Sequence, residues 1–521
     1  MAEQELFGPL ARAMVEAYGR GEDDESLEPL VLVDGAGQSQ GLIRSGDPVI
    51  FADLRGERER EIVQALTEPG FDKFPRPSGF SVDMATLVDY GPDLRARPAF
   101  EGLKVARSLS RVVAEAGLKQ LKVVETEKAI HLTYFFNGKH EEPLPGEERL
   151  FIETEKGPGF AQKPEMRAAE VAETAAARLS GGEYALVTVN LANVDVVNHV
   201  EEEAPVVKAV EVVDEQAGRL VEAGLRSGCW VIVTADHGSA ERWYYPDGRP
   251  DTGHTDSPVP FILLGPEKLA LRAGGDLTDV APSVLGLLGL EAPAEMTGRP
   301  LFEGRPQPGR VLLLILDGWG LREESYGNLI LKARTPNLDR LLAEWPATSL
   351  VASGTRVGMP QGTVGNSETG HLHLGAGLRL DSDRVRIDKA IADGSFYENP
   401  AFLDQALKAK REGRPLHILS ILSFYSSHGS LDHLLAVIEL ARRQGAAPVY
   451  LQAMLGRRGE RHQSGPTYLS LVEKHLTEQS LGRVATVIGR HWSLDREGNW
   501  DRIEKTFNLY VRGRGRPVAD E

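Results

Sequence analysis

The chain has 521 residues, 41% apolar and 26% charged, an ordinary globular composition that excludes a collagen, a coiled coil or a chain disordered over most of its length. Lys plus Arg number 59 against 76 Asp plus Glu, and the net charge of −17 with neutral histidine argues against a general nucleic-acid binder. A single cysteine, Cys229, excludes an intramolecular disulfide framework and a multi-cysteine zinc site. The first residues lack a basic-then-apolar leader and no apolar run approaches the ~20 residues needed to cross a bilayer, so the expectation is a soluble, cytoplasmic protein with no membrane partner.

Taken in chain order, the hydrophobic pattern predicts strands over 30–33, 49–51 and 121–124, a helix over 164–180, a strand over 185–189 and a helix over 206–227. Strands over 230–234 and 261–264 follow, then a helix over 278–288 and the most apolar strand of the chain, 311–316. Helices over 335–345 and 400–412, a strand over 416–422, a helix over 431–444, a strand over 449–453, a helix over 467–477 and a strand over 484–488 complete the pattern. Strands alternating with amphipathic helices imply an α/β chain with mostly parallel sheets. Ligands of such sheets gather at the carboxyl ends of the strands, so the residues just after each apolar run are the ones to inspect.

Three segments carry less. The Pro/Gly-rich stretch GRPQPG, 304–309, reads as a linker. DGAGQSQG, 34–41, follows a strand but has the wrong spacing for a dinucleotide loop and reads as a plain turn. The tail VRGRGRP, with Arg512, Arg514 and Arg516, reads as a solvated, frayed end rather than an anion site.

Several strand ends carry metal-type residues together. The strand 311–316 ends at Asp317; 230–234 leads into Asp236 and His237; 185–189 leads into Asn190, Asp195 and His199. Asp195 and His199 are four apart and share a face if the segment is helical. The loop DTGHTDSPVP presents His254, and the Gly-rich, sharply turning GTVGNSETGH presents Ser367. Mixed Asp/His donors suit Mn²⁺ or Zn²⁺ rather than Ca²⁺, and this many donors can hold two ions around one nucleophile. Coordination would lower the pKa of a serine hydroxyl and aim it, while a second cation would hold phosphate oxygens. That is a design for phosphoryl transfer through a phosphoserine.

The motifs LDGWG, GNSETGH, TADHG and N-x-x-N-x-D-x-x-x-H, with ETEKAIHLTYFFNG, PGEERLFI, GRHWSLDREGNWDR and VIFADLRGERER, together resemble the cofactor-independent phosphoglycerate mutases of the alkaline phosphatase superfamily. The resemblance implies an alkaline-phosphatase-like doubly wound sheet domain and a smaller α/β phosphotransferase domain. It implies two divalent ions, Mn²⁺ favoured over Zn²⁺, Co²⁺ or Mg²⁺: Asp195, His199 and His254 for one, Asp236, His237, Asp317 and Ser367 for the other. Ser367 would be the nucleophile, with Lys128 near the transferred phosphate, and the protein a monomer. The order of segments is altered. The family's opening half occupies roughly 310–521 and its closing half 1–304, as in a circular permutation with the old ends joined near 304–309. The metal domain would then run over 117–380, and the phosphotransferase domain over 1–116 plus 381–521.

On the substrate side, guanidinium groups suit a small phosphorylated acid, because they bind planar oxyanions bidentately. Arg55 and Arg58, Arg458, and Arg490 and Arg496 follow predicted strands and match family substrate positions, as does His428. The departures lie here. Phe424 and Gly459 stand where the family has acids, and Ser430 where it has a second histidine; Ser239 replaces an Asn beside the metal motif. The resemblance implies 3-phosphoglycerate/2-phosphoglycerate interconversion. The departures leave open a metal-dependent phosphohydrolase, or a mutase of another phosphorylated acid or sugar; a non-catalytic pseudoenzyme is disfavoured by the complete ligand set.

Overall fold

A computed structural model describes residues 7–155, 159–424, 428–456 and 463–520. The chain divides into two compact units, one formed by Met1–Gly102 with Asp383–Glu521 and the other by Leu103–Ser382. It is an α/β protein, with a mixed eight-stranded sheet in each unit among the described residues.

In the continuous unit the sheet order is Gly275–Asp276, Ala347–Val351, Val259–Leu264, Trp230–Thr234, Val311–Leu316, Leu186–Leu191, Gln120–Glu125 and Glu147–Ile152. Val311–Leu316, whose six residues are all buried aliphatics, sits centrally and pairs in parallel with Trp230–Thr234 on one side and Leu186–Leu191 on the other. Gln120–Glu125 continues the parallel run, while Val259–Leu264 is antiparallel to its neighbours. A fully apolar strand tolerates no solvated face, which is why this one lies in the middle with helices covering both sides.

In the other unit the order is Arg516–Ala519, Leu30–Val33, Gly482–Gly489, Val449–Leu455, Leu416–Leu422, Pro48–Phe51, Asp83–Val88 and Arg97–Phe100. The run from Gly482–Gly489 through Leu416–Leu422 to Arg97–Phe100 is parallel. Leu30–Val33 is antiparallel to Gly482–Gly489 and parallel to Arg516–Ala519.

Several expectations need correction. The tail is not frayed: Arg516–Ala519 is a strand, and Arg516 bonds Glu22 at 2.6 Å. The division falls at 102/103 rather than 116/117, because Leu109, Val112 and Val113 of the helix Leu109–Glu115 bury in the same core as Leu121 and Leu186. The segment presenting Ser367 is not only a Gly-rich turn; Ser367 opens the helix Ser367–Ala376, capped by the Asn366 side chain accepting the Thr369 amide. As expected, and needing no correction, the segment 34–41 is a turn, organised by Asp34 accepting the amides of Ala36 and Gln38.

Candidate metal and phosphoryl-transfer site

Strand direction brings the site together. Gln120–Glu125, Leu186–Leu191, Val311–Leu316 and Trp230–Thr234 are mutually parallel, so their carboxyl ends share one edge of the sheet. The chain leaves that edge through a one-turn helix ending at Lys128, a short helix bearing Asp195, the turn at Asp317, and Asp236–His237. Gly318 follows Asp317 with a φ of +82°, and a Cβ there would meet the Asp195 backbone at 2.9 Å, so only glycine fits this turn. Gly370 lets the helix of Ser367 pack on the Asp236 backbone, where a Cβ would lie 2.6 Å from its carbonyl oxygen.

Ser367 Oγ is held from three sides. It accepts from Lys128 Nζ at 2.6 Å, lies 2.9 Å from His237 Nε2 and 3.3 Å from Asp317 Oδ1. Lys128 also donates to Asp195 at 2.6 Å and Asp317 at 2.8 Å. Burial opposes the ammonium charge, but Asp317, Asp195 and Asp236 outweigh it and hold the lysine pKa well above its ordinary value. Burial likewise opposes ionisation of Asp195, and Lys128 with the neighbouring histidines reverses that and keeps it well below the usual range.

The histidine tautomers follow from their backbone partners. Nδ1 of His237 faces the Gly238 carbonyl at 3.1 Å, that of His254 the Gly365 carbonyl at 3.0 Å, and that of His199 the Thr252 carbonyl at 2.9 Å. A carbonyl only accepts, so each Nδ1 carries a proton and Nε2 is the atom each ring can offer to a metal. His254 Nε2 and Asp195 Oδ1 face each other at 3.0 Å, an ion pair when the ring is protonated, and Asp195 pushes the His254 pKa up against burial. Asp236 Oδ2 is buried 3.1 Å from Nδ1 of His371.

Two donor sets result, Asp195–His237–His254 and Asp236–His237–Asp317, each with ligand atoms within 4.8 Å of one another. Three buried carboxylates against one ammonium demand further positive charge; they push His254 and His371 up, and divalent cations would meet the same demand. These residues therefore fit divalent metal ions. His199 stands at the margin, its side chain 53% exposed and its Nε2 3.9 Å from Asp195 Oδ1.

His371 was not singled out from sequence. It is fully buried one turn after Ser367, with Nδ1 on the Ser367 carbonyl at 3.0 Å and Nε2 3.0 Å from Asn190 Nδ2. Its Nε2 lone pair is thus used by Asn190, whose amide also donates to Asp317 Oδ2 at 2.8 Å. The Ser-x-x-x-His spacing on a helix was the available signal. Glu241, buried under the loop of His237, accepts from the Ser239 amide at 2.9 Å and from the Thr255 hydroxyl.

The expected substrate residues lie in the other unit, at the carboxyl edge of its parallel strands. Arg55 and Arg58 follow Pro48–Phe51, His428 follows Leu416–Leu422, and Arg490 and Arg496 follow Gly482–Gly489. Arg55 pairs with Glu57 at 3.0 Å, and Arg496 pairs with the same carboxylate. Arg490 is buried, 3.9 Å from Glu25. His428 is buried with Nδ1 2.8 Å from Glu59 Oε1. Arg458 and Gly459 lie outside the described residues.

Residues 87–292 match the metalloenzyme superfamily, and residues 3–92 and 387–521 match the N-terminal domain of the BPG-independent phosphoglycerate mutases. The chain is 43% identical over 318 residues to the 2,3-bisphosphoglycerate-independent phosphoglycerate mutase of Thermomicrobium roseum, covering 58% of this chain and 60% of the relative. It is 43% identical over 296 residues to that of Gloeobacter violaceus, covering 55% and 54%. The chain thus spans little more than half the length of the curated relatives it matches. A solved Leishmania mexicana phosphoglycerate mutase at low cobalt concentration is similar at 30% identity and a TM-score of 0.40, over 52% of this chain and 53% of that one.

Proposed function

Because the chain belongs to the BPG-independent phosphoglycerate mutase family, we propose that it interconverts 3-phosphoglycerate and 2-phosphoglycerate by way of a phosphoserine at Ser367. The observation that carries this reading is the position of Ser367 Oγ between Lys128, His237 and Asp317, inside a buried cluster with excess carboxylate charge.

Asp195, His199 and His254 would hold one divalent ion, and Asp236, His237, Asp317 and Ser367 the other; His237 is also within reach of the first. Mn²⁺ suits this mixed nitrogen and oxygen set best, with Zn²⁺, Co²⁺ and Mg²⁺ as alternatives. Bound ions would lower the serine pKa and neutralise charge on the transferring phosphoryl group. Lys128 places a fixed positive charge 2.6 Å from Oγ, where negative charge on a phosphoryl oxygen would sit during transfer. Asn190 and His371 hold the Asp317 and Asp236 side of the site in place. Arg55, Arg58, Arg458, Arg490, Arg496 and His428 are the proposed contacts for the carboxylate and hydroxyls of the glycerate.

Two observations support reading the chain as a circular permutation. One family model is matched by pieces at opposite ends of the sequence, and Arg516–Ala519 pairs with Leu30–Val33 in one sheet. We place the protein in the cytoplasm as a monomeric glycolytic enzyme; among the described residues no helix is long and apolar enough to cross a membrane.

Formation of 2-phosphoglycerate from 3-phosphoglycerate by Mn²⁺-loaded protein, followed by enolase coupling, tests the proposal; absence of product would overturn it. A phosphohydrolase is the second reading, favoured by Gly459 and by Phe424, which is 65% exposed where the family has an acid. Phosphate release exceeding isomer formation would select it.

A further inference from the structure

Glu241 is fully buried, four residues after His237, and stands outside both donor sets. A carboxylate inside a protein is costly unless specific donors hold it. Its donors come from two different segments. Oε2 accepts the Ser239 amide at 2.9 Å, and Oε1 accepts the Thr255 hydroxyl. Glycines close the space around it. A Cβ at Gly238 would lie 2.6 Å from Oε1, and a Cβ at Gly320 would run into the carboxylate itself. Two loops and the turn after Asp317 are therefore shaped around this one side chain.

The bonds that leave this carboxylate reach every part of the site. Thr255 follows His254 directly. Its hydroxyl goes to Glu241, its amide donates to the Gly238 carbonyl at 3.0 Å, and its carbonyl accepts the Gly365 amide, two residues before Ser367, at 3.2 Å. Ser239 lies two residues after His237, and its hydroxyl donates to the carbonyl of Gly318, beside Asp317, at 2.8 Å. Glu241 thus ties the loop of His237 to the loop of His254, and through Ser239 and Thr255 to the segments of Asp317 and Ser367. The result shows in the two rings: the centroids of His237 and His254 are 4.1 Å apart, with their planes at 31°. Asp195 completes the donor set of these two from a separate helix. Asp236 and Asp317, by contrast, follow the central strands within two residues.

From this geometry we infer that Glu241 is a positioning residue for metal binding, whose carboxylate clamps the loops of His237 and His254 so that both rings serve one divalent ion. The ion in this statement rests on the metal reading above; the clamp itself rests on the hydrogen bonds. Two of the three ligands of the Asp195–His237–His254 set lie on clamped loops, so loss of the clamp falls mainly on that set. The Asp236–His237–Asp317 set keeps two ligands fixed by strand ends. Groups that hold metal ligands from behind are worth about 10–100-fold in metal affinity. Both donors to Glu241 are neutral, so a carboxamide of the same length can replace most of the clamp, and an alanine cannot.

The test titrates chelator-stripped protein with Mn²⁺ and reads binding by EPR and calorimetry, at a temperature where circular dichroism shows each variant folded. Wild type should take up two ions, one per donor set. Glu241→Ala should weaken one of the two steps by at least ~10-fold and the other by clearly less. Glu241→Gln should recover at least half of that loss on a logarithmic scale. Thr255→Val removes one arm of the clamp with little change of shape, and it decides the matter if Glu241→Ala does not fold. It should weaken the same step by about threefold or more, the worth of one hydrogen bond. The double variant should lose no more than Glu241→Ala alone, because the two residues act as one unit. Unchanged affinities in Glu241→Ala or in Thr255→Val would overturn the inference. So would equal weakening of both steps, which marks a general loosening of the fold, or a Glu241→Gln as weak as Glu241→Ala. If wild type itself binds no Mn²⁺, the metal reading fails and the clamp's role with it; if wild type binds and the variants match it, the inference alone fails.

Discussion

His254 Nε2 and Asp195 Oδ1 stand 3.0 Å apart, close enough for the carboxylate to push the imidazole pKa up against the effect of burial. Without a metal this contact calls for a proton on Nε2, and a divalent cation bound between or beside the two atoms would take that proton's place. The Nδ1–H of His254 is committed to the Gly365 carbonyl, so Nε2 is the ring atom left to face Asp195 or a metal.

The first prediction concerns metal. Chelator-treated protein should be measurably less stable than protein with Mn²⁺. A ligand that binds only the folded state at 100 times its Kd adds about 2.7 kcal/mol. Thermal melts with and without Mn²⁺ check this, and elemental analysis should show less bound metal in Asp195→Asn and His254→Ala. Equal melting temperatures with and without metal would contradict the assignment.

Lys128 is the only ammonium or guanidinium group among the described residues bonded to both Asp195 and Asp317. Removing one partner of a buried ion pair typically costs ~3–5 kcal/mol. Lys128→Met should show a loss of that order in chelator, measured by denaturant unfolding, and a smaller one with saturating Mn²⁺, since cations would replace the missing charge. The same loss under both conditions would mean that the carboxylates do not bind metal. Phosphoryl transfer should fall by at least ~10²-fold in either case, because a fixed donor to the transition state is gone.

A pH effect is expected in the other unit. Burial pushes Glu473 up from its ordinary 4.5 to about 7, with Arg12 pulling weakly in the opposite sense. The folded state therefore keeps a proton that the unfolded chain loses near pH 4.5. This contribution to stability is fully present below pH 4.5 and is lost as pH rises towards 7. Glu473→Gln should raise the melting temperature by a few degrees above pH 7, since one pKa unit is worth about 1.4 kcal/mol, and should change little near pH 4. A uniform shift at all pH values would point to packing rather than ionisation.

The metal half was legible because its residues sit directly after the most apolar strands. Asp317, Asp236–His237 and Asp195 follow runs whose burial is unmistakable, and strand ends are where parallel sheets place their ligands. The helix of Ser367 was less legible, since Gly370 and Gly375 lower its helix propensity and are explained only by the backbones they pack against. The strand Arg516–Ala519 was hidden because its partner Leu30–Val33 is almost the whole chain away in sequence. Arg97–Phe100 and Glu147–Ile152 are half-exposed edge strands with no continuous apolar run. Glu59 was masked by its neighbours: in LRGERER no periodicity separates the buried acid from Glu57, which meets Arg55 at the surface.

The central claim is that phosphate passes through Ser367 and returns to the same acid. A ³¹P NMR time course of Mn²⁺-loaded protein with 3-phosphoglycerate, wild type beside Ser367→Ala, tests it most directly. The account predicts growth of the 2-phosphoglycerate signal with little inorganic phosphate in wild type, and neither signal in Ser367→Ala. Inorganic phosphate as the main product, or any isomer formed by Ser367→Ala, would contradict it.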